Sequence, residues 1–417
     1  MSVYIIHGKN RLGGTLAVHG AKNAALPILA AASVCGDSVI RNCPRLTDIQ
    51  VAMEILGHLG CRTQRQGDAV VTTRTSGGDC RIPDELMSAM RSSIVFLGGI
   101  VARHGCAELT LPGGCELGAR PIDLHLAALS RMGVKITEAG GRLFCDAKEG
   151  LHGAKINLSF PSVGATENTI IAASTARGET VITGGAREPE IQDLIDFLRG
   201  CGARIAMDLD GTITIDGVER LGGAEHQVIP DRIAAGTYLC AAAITGGDIL
   251  VERVSPGHLS ACLSVLASAG CRVAAGPDWV RLTAPPRLRE MGTIKTMPYP
   301  GFPTDMQSVM MAAAATARGT TVFVENIFES RYRHVPELRR LGANIVTEGR
   351  VAVVSGVERL EGAPLTCTDL RGGAAVVLGA LAAEGESQVT GLCHIDRGYD
   401  DFEGNLARLG ADIKRNG

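Results

Sequence analysis

Aromatic residues are scarce, at 3% of 417 residues with a single Trp. So few ring faces leave little material for stacking bases, and a formal net charge of −3 adds no pull toward a polyanion, so no nucleic-acid partner is expected. Apolar runs are short. The longest, Ala24 to Cys35, is about half of what a membrane span needs and contains Pro27, so no membrane insertion is expected. The start, Met1-Ser2-Val3-Tyr4-Ile5, lacks the basic head, apolar core and cleavage site of a secretory signal. The 13 cysteines form no CxxC pair or other metal-ligand spacing, and an odd number in a long chain argues against a disulfide framework. Most lie among Ala, Val and Leu, where a thiol packs as a small apolar group, and free thiols in such number fit a reducing compartment. The expected location is the cytoplasm. A Walker A loop, a GxGxxG after a strand, HExxH and GxSxG are all missing, which disfavours nucleotide triphosphatases, dinucleotide enzymes, zinc proteases and serine hydrolases.

What is present is repetition. Gly60, Gly133, Gly202, Gly270, Gly342 and Gly410 each follow a segment of helical apolar spacing and precede a β-forming stretch, at intervals of 68 to 73 residues. This predicts a helix closed by a C-cap glycine and running directly into a strand. A second series interleaves, clearest at Ala176-Arg177-Gly178 and Ala317-Arg318-Gly319 with looser copies at Gly36, Gly105, Gly247 and Gly385, and the segment Gly217-Val218-Glu219-Arg220-Leu221 is echoed at Gly356-Val357-Glu358-Arg359-Leu360. Six α/β units are expected in two groups of three. The first domain would run over 22–229 and the second over 1–21 and 230–417, with the opening residues completing the last unit and ligands held in the cleft between the domains.

Several polar clusters break this texture. Lys22 stands at a helix start, where a cation opposes the dipole; either it is a surface accident or it serves an anion there together with the free N–H groups. Cys115 lies between glycines and prolines, a setting that reads as a mobile loop, whereas the other twelve cysteines read as packing. A thiol tuned by Arg120 could act as nucleophile or acid, and an incidental exposed thiol is the alternative. Arg91, Arg331, Arg371 and Arg397 sit among small residues; each alone suits a surface ion pair, and together they suit a multiply anionic ligand. Asp305 and Asp231 each precede a helix, and a capping role is the simpler account of both.

These motifs have a family likeness. Gly20-Ala21-Lys22-Asn23-Ala24-Ala25, Pro112-Gly113-Gly114-Cys115 with Gly118-Ala119-Arg120-Pro121, Val163-Gly164-Ala165-Thr166, Ala186-Arg187-Glu188-Pro189-Glu190, Pro303-Thr304-Asp305-Met306-Gln307 and His394-Ile395-Asp396-Arg397-Gly398-Tyr399 resemble, in order and over essentially the whole chain, the UDP-N-acetylglucosamine enolpyruvyl transferases. The resemblance implies an α/β fold of two inside-out prisms (α/β barrels), each of three βαβαββ repeats. It implies transfer of the enolpyruvyl group of phosphoenolpyruvate to the 3′-hydroxyl of UDP-N-acetylglucosamine, with no metal or organic cofactor and with both substrates as small-molecule partners. Lys22, Arg120 and Arg397 would hold phosphoenolpyruvate. Asn23, Arg91, Arg120, Pro121, Ile122, Asp123, Leu124, Ser162, Val163, Gly164, Asp305 and Ile327 would contact the sugar nucleotide, and Arg331 and Arg371 would support the anion site. Cys115 would be the proton donor and Asp305 the base. Phe160-Pro161 departs from the pattern, because some relatives carry a basic residue there. The related 5-enolpyruvylshikimate-3-phosphate synthases are the nearest rival family, disfavoured by the Cys loop, and a non-catalytic sugar-nucleotide sensor is a rival of another class.

Overall fold

The computed structural model describes residues 2–90, 92–110 and 122–417. By its internal contacts the chain divides into two compact units, one of residues 2–19 with Pro230–Gly417 and one within 20–229. Both are α/β.

In the 20–229 unit, the strands Glu225–Gln227, Ser38–Arg41, Ala69–Arg74 and Cys61–Gln66 lie side by side, the first pair parallel and the other two antiparallel. Lys155–Asn157, Glu179–Thr183, Ile213–Asp216 and Arg204–Met207 repeat that sequence of directions. A third sheet joins Cys106–Thr110, Arg142–Asp146 and Lys135–Ala139, with Arg81 bridged in parallel to Glu108.

The other unit uses the same scheme three times. Gly13–Ala17 pairs in parallel with Asp248–Glu252, followed by Trp279–Thr283 and Arg272–Ala275. Thr293–Lys295 pairs in parallel with Thr320–Val324, followed by Val351–Ser355 and Asn344–Glu348. Pro364–Thr366 pairs in parallel with Glu386–Thr390, followed by Val3–His7 and Asp412–Asn416. The opening residues therefore serve two sheets rather than completing the last unit alone. No sheet of the described residues closes into a barrel.

The six helix-ending glycines all take φ between 80° and 99°. That left-handed conformation is nearly free for glycine and costs other residues, which is why the pattern is legible. In the second series, Gly36 and Gly247 depart from positive φ and Gly246 takes it instead. The two echoed segments meet the series they were read beside: Gly217 donates its N–H to Gly178, and Gly356 donates to Gly319. A Cβ on Gly217 or Gly356 would lie 1.7 Å from the carbonyl oxygen of Ala176 or Ala317, so both positions exclude any larger residue.

Helices that are apolar on every side form the cores. In one unit Lys22–Ala32 and Val163–Ala173 are buried almost throughout, and Leu97–His104 is buried from Leu97 to Val101. In the other, Arg232–Ile244, Gln307–Ala314 and Leu370–Ala382 pack on one another. Strand burial alternates, as in Asp248–Glu252 and Glu386–Thr390, so each sheet turns one face to these helices. Truncating a core residue such as Leu29 or Leu378, each 0% exposed, would cost roughly 2–5 kcal/mol. The consequence for function is that the starts of buried helices present polar side chains from a rigid base.

Candidate active site

Asp305 lies in a short 3₁₀ turn, Thr304–Met306, leading into the helix Gln307–Ala314. It is not a cap. Its Oδ1 accepts a hydrogen bond from Arg331 Nη2 at 2.9 Å, and its Oδ2 accepts from Arg371 Nε at 3.2 Å. Both arginines are almost fully buried, whereas the Asp305 side chain keeps 26% of its surface. Burial alone would push its pKa up; the charges of Arg371, Arg331 and Arg232 and the Arg371 hydrogen bond outweigh that and hold the carboxyl far below the usual carboxylate range.

The turn is fixed by Glu325, a buried acid at the end of the strand Thr320–Val324. Its oxygens accept from the hydroxyls of Thr296 (2.9 Å) and Thr304 (3.0 Å) and from the N–H groups of Ile327 (2.9 Å) and Phe328 (3.1 Å). One carboxylate thus places both Asp305 and Ile327. Arg371 opens the helix Leu370–Ala382, whose cap is Asp369, accepting from the N–H of Arg371 and Gly372. Arg371 also lies 5.3 Å over the ring of Tyr399, whose hydroxyl pairs with Thr237 at 2.9 Å. Asp231 does cap its helix, accepting from Ile233 and Ala234. Arg397 ends the 3₁₀ segment Leu392–Arg397 and is half-buried.

In the 20–229 unit, Lys22 opens the helix Lys22–Ala32 and pairs with Asp48 at 2.5 Å, with the two side chains 9% and 2% exposed. Ala21, just before it, donates to Ile229 O at 2.7 Å, and Asp193 in turn accepts from Ile229 N while pairing with His226 at 2.9 Å. Asn23 is half-buried. Ile122, Asp123 and Leu124 start the helix Asp123–Arg131, and Ser162, Val163 and Gly164 start Val163–Ala173, with Ser162 as its cap. His125 joins these two starts. Its ring lies 3.0 Å from where a Gly164 Cβ would be, and its Nδ1 meets Asn168 Nδ2 at 2.7 Å. A larger residue at 164 would have to displace the ring by a few tenths of an ångström. Phe160, the departure noted in the sequence, is 42% exposed.

Arg91, Cys115, Arg120 and Pro121 lie outside the described residues. Among the other cysteines all are free, nine of them buried. Cys393 is exposed, which corrects its reading as packing, and Cys80 and Cys106 are half-buried, the Cys106 thiol donating to His104 O at 3.7 Å. Among the described residues no group of three or more His, Cys, Asp or Glu could hold a metal, and no helix is long and apolar enough to cross a membrane.

Sequence reasoning missed Asp48, His125, Glu325, Asp369 and His334. Asp48 carried a faint signal, an acid in the first turn of Thr47–His58, which reads as ordinary dipole complementation. Glu325 carried none, because its partners are 21 to 29 positions away or in the next turn.

The fold is that of solved enolpyruvyl transferases. The enolpyruvyl transferase NikO from Streptomyces tendae matches with a TM-score of 0.90 at 27% identity, covering 100% of this chain and 99% of that one. An EPSP synthase from Acinetobacter baumannii shares the fold at a TM-score of 0.76 and 17% identity, with 100% of each chain covered. The family described as EPSP synthase (3-phosphoshikimate 1-carboxyvinyltransferase) matches residues 6–406, and the chain belongs to this enolpyruvyl transferase family. Within it, the chain is 47% identical over 416 residues to UDP-N-acetylglucosamine 1-carboxyvinyltransferase 2 of Caldanaerobacter subterraneus subsp. tengcongensis, covering 100% of both. The corresponding enzyme 1 of Symbiobacterium thermophilum is 48% identical, covering 99% of this chain and 95% of that one. That of Psychrobacter arcticus is 44% identical, covering 100% and 99%.

Proposed function

We propose that this enzyme transfers the enolpyruvyl group of phosphoenolpyruvate to the 3′-hydroxyl of UDP-N-acetylglucosamine, releasing phosphate, as the first committed step of peptidoglycan synthesis in the cytoplasm. The observation that carries the choice of acceptor is identity of 44–48% over the whole chain to relatives named for that acceptor. We read each unit as three βαβαββ repeats arranged as a prism with its helices inside, a reading supported by the threefold recurrence of one strand scheme in each.

In this reading Cys115 gives its proton to C3 of phosphoenolpyruvate. C2 becomes electron-poor, the sugar hydroxyl adds to it, and the hydroxyl proton passes to Asp305. Loss of phosphate from the tetrahedral ketal and of a proton from C3 regenerates the enol. Lys22, Arg120 and Arg397 bind the phosphate and carboxylate. Asn23, Arg91, Pro121, Ile122, Asp123, Leu124, Ser162, Val163, Gly164 and Ile327 hold the sugar nucleotide. Arg331 and Arg371 support the anion site and keep Asp305 ionised. A carboxylate stabilised by two arginines is a weak base. It suits a hydroxyl that becomes strongly acidic only as its oxygen bonds to C2, so proton transfer to C3 runs ahead of proton loss from the sugar. Cationic groups fixed beforehand stabilise the charge as it shifts.

The test is phosphate release from phosphoenolpyruvate with UDP-N-acetylglucosamine and, separately, with shikimate 3-phosphate. Release with the sugar nucleotide alone is expected. Release with shikimate 3-phosphate alone would assign the acceptor named by the family description, and tight binding of both substrates without product would make the chain a sensor.

A further inference from the structure

Behind Asp305 lies a group of buried polar atoms that make no hydrogen bond among the described residues. They include Nδ1 and Nε2 of His334, Oδ2 of Asp369 and Nε of Arg331. His334 is 0% exposed, and Asp369 and Arg331 are 5% and 4%. A buried polar group without a partner pays its desolvation in full, so four such atoms in one neighbourhood call for an account.

The backbone brings them together. Asp369 uses Oδ1 to cap the helix Leu370–Ala382. Its Oδ2 lies over Gly372, where an added Cβ would be 2.4 Å from Asp369 Oδ2 and 2.9 Å from His334 Cβ. The two side chains therefore meet over one glycine. Arg331 precedes His334 by one helical turn's worth of chain, and its Nη2 is engaged with Asp305 Oδ1 and Thr304 O, leaving Nε. The inventory is complementary. A neutral imidazole offers one N–H donor and one bare nitrogen; Asp369 Oδ2 accepts, and Arg331 Nε–H donates. Burial pulls the His334 pKa down to about 4; the Asp369 charge and the Arg331 backbone oppose the shift, and the Arg331 charge adds to it. The Arg331 guanidinium is paired with Asp305, which also holds Arg371, and the buried Glu337 follows His334 by one turn, its N–H donating to His334 O.

We infer that His334 is a positioning residue: in the working enzyme its neutral ring links Arg331 Nε–H to Asp369 Oδ2, and so fixes the arginine that aims the Asp305 carboxylate. The inference rests on the reading of Asp305 as the group that meets the acceptor hydroxyl. A leucine at 334 would fill the same apolar space without either hydrogen bond, whereas a glutamine keeps one donor and one acceptor. Misplacing the carboxylate should lower kcat and leave substrate binding largely intact.

The experiment compares His334→Leu and His334→Gln in the full chain, reading kcat and KM for both substrates, with nitrogen NMR of labelled histidine in the wild type before and after adding UDP-N-acetylglucosamine. Expected are a kcat lower by roughly 10- to 100-fold for leucine with little change in KM, substantial recovery with glutamine, and a His334 ring that stays neutral at pH 6 and shifts on ligand binding. A leucine variant with wild-type kcat would overturn the inference. If that variant does not fold, the glutamine variant and the spectrum decide: a ring half-charged near 6.5, or ring nitrogens that ligand leaves unmoved, would overturn it equally. Asp305→Asn separates the two failures. Should it lose turnover while His334→Leu does not, only the relay falls; should it keep turnover, the reading of Asp305 itself falls.

Discussion

In one unit the carboxyl of Asp305 has an arginine at each oxygen; in the other, the carboxyl of Glu167 has two further acids for neighbours. Burial pushes both toward the neutral form. At Asp305 the charges of Arg371, Arg331 and Arg232 reverse that push. At Glu167 no charge among the described residues does: burial raises its pKa well above the ordinary value, and the charges of Glu190 and Glu188 raise it further. Both side chains come from structurally related places, at or near the start of a core helix. Burial pushes both acids the same way, and the ionisation state is decided by whether the next elements deliver charge that overrides it. One acid is held as an anion, suited to orienting a hydroxyl, and at the other the protonated form is favoured.

The sharpest way to break this comparison is Asp305→Asn. It keeps the shape and removes the charge between two arginines that are 4% and 3% exposed. Turnover should fall by about 10²–10⁴-fold if the carboxylate is the base. The stranded guanidinium charges should also cost roughly 3–5 kcal/mol of stability. Phosphate-release assays and urea unfolding of the same preparation read the two effects. Wild-type turnover would remove Asp305 from the chemistry.

Lys22 offers the matching cut in the other unit. Lys22→Met leaves Asp48, 1% exposed, without its ammonium partner. Stability should drop by about 3 kcal/mol, and adding Asp48→Asn should restore part of it, a coupling on the order of 1–3 kcal/mol in a double-mutant cycle. Additive effects would mean that the 2.5 Å pair contributes little and that Lys22 is placed by other contacts.

A third cut uses pH. His334 has its pKa lowered from 6.5 to about 4 in the folded chain. Between those values the unfolded chain takes up a proton that the folded chain refuses. The stabilisation is fully present above pH 6.5 and is lost as pH falls toward 4, to a total of roughly 3 kcal/mol. Replacing His334 with Gln should flatten that part of the stability–pH curve. An unchanged slope would show that another group is responsible.

The repeat was legible because it rests on local backbone chemistry. A glycine that must take positive φ after a helix shows its role wherever it falls, and six did so at near-constant spacing. The echoed segments at Gly217 and Gly356 were legible for the same reason: a carbonyl oxygen where a Cβ would be leaves one residue type. Lys22, Arg331, Arg371 and Asp305 stood out as polar breaks in apolar texture. Their partners did not. Asp48, Glu325, Asp369 and His334 act through side chains far away in sequence, and each has a plausible local role that hides the distant one. Asp305 was misjudged as a cap for the same reason: proximity to a helix start is visible in sequence, whereas two arginines 26 and 66 residues away are not.

The smallest effect tests the other half of the comparison. Glu167 is 6% exposed, and its folded-state pKa is raised. Its contribution to stability is therefore fully present below the ordinary value of 4.5 and is lost as pH rises through the higher folded value. Glu167→Gln keeps the shape and an uncharged polar end but removes the titration. The variant should match the wild type near pH 4.5 and become the more stable of the two as pH rises, because the wild type must then either hold its proton against solvent or bury a charge beside Glu190 and Glu188. Urea unfolding at three pH values reads the divergence. A variant less stable than the wild type at every pH would mean that Glu167 is ionised and paired in the folded chain, and the contrast with Asp305 would then be one of partner identity and not of charge state.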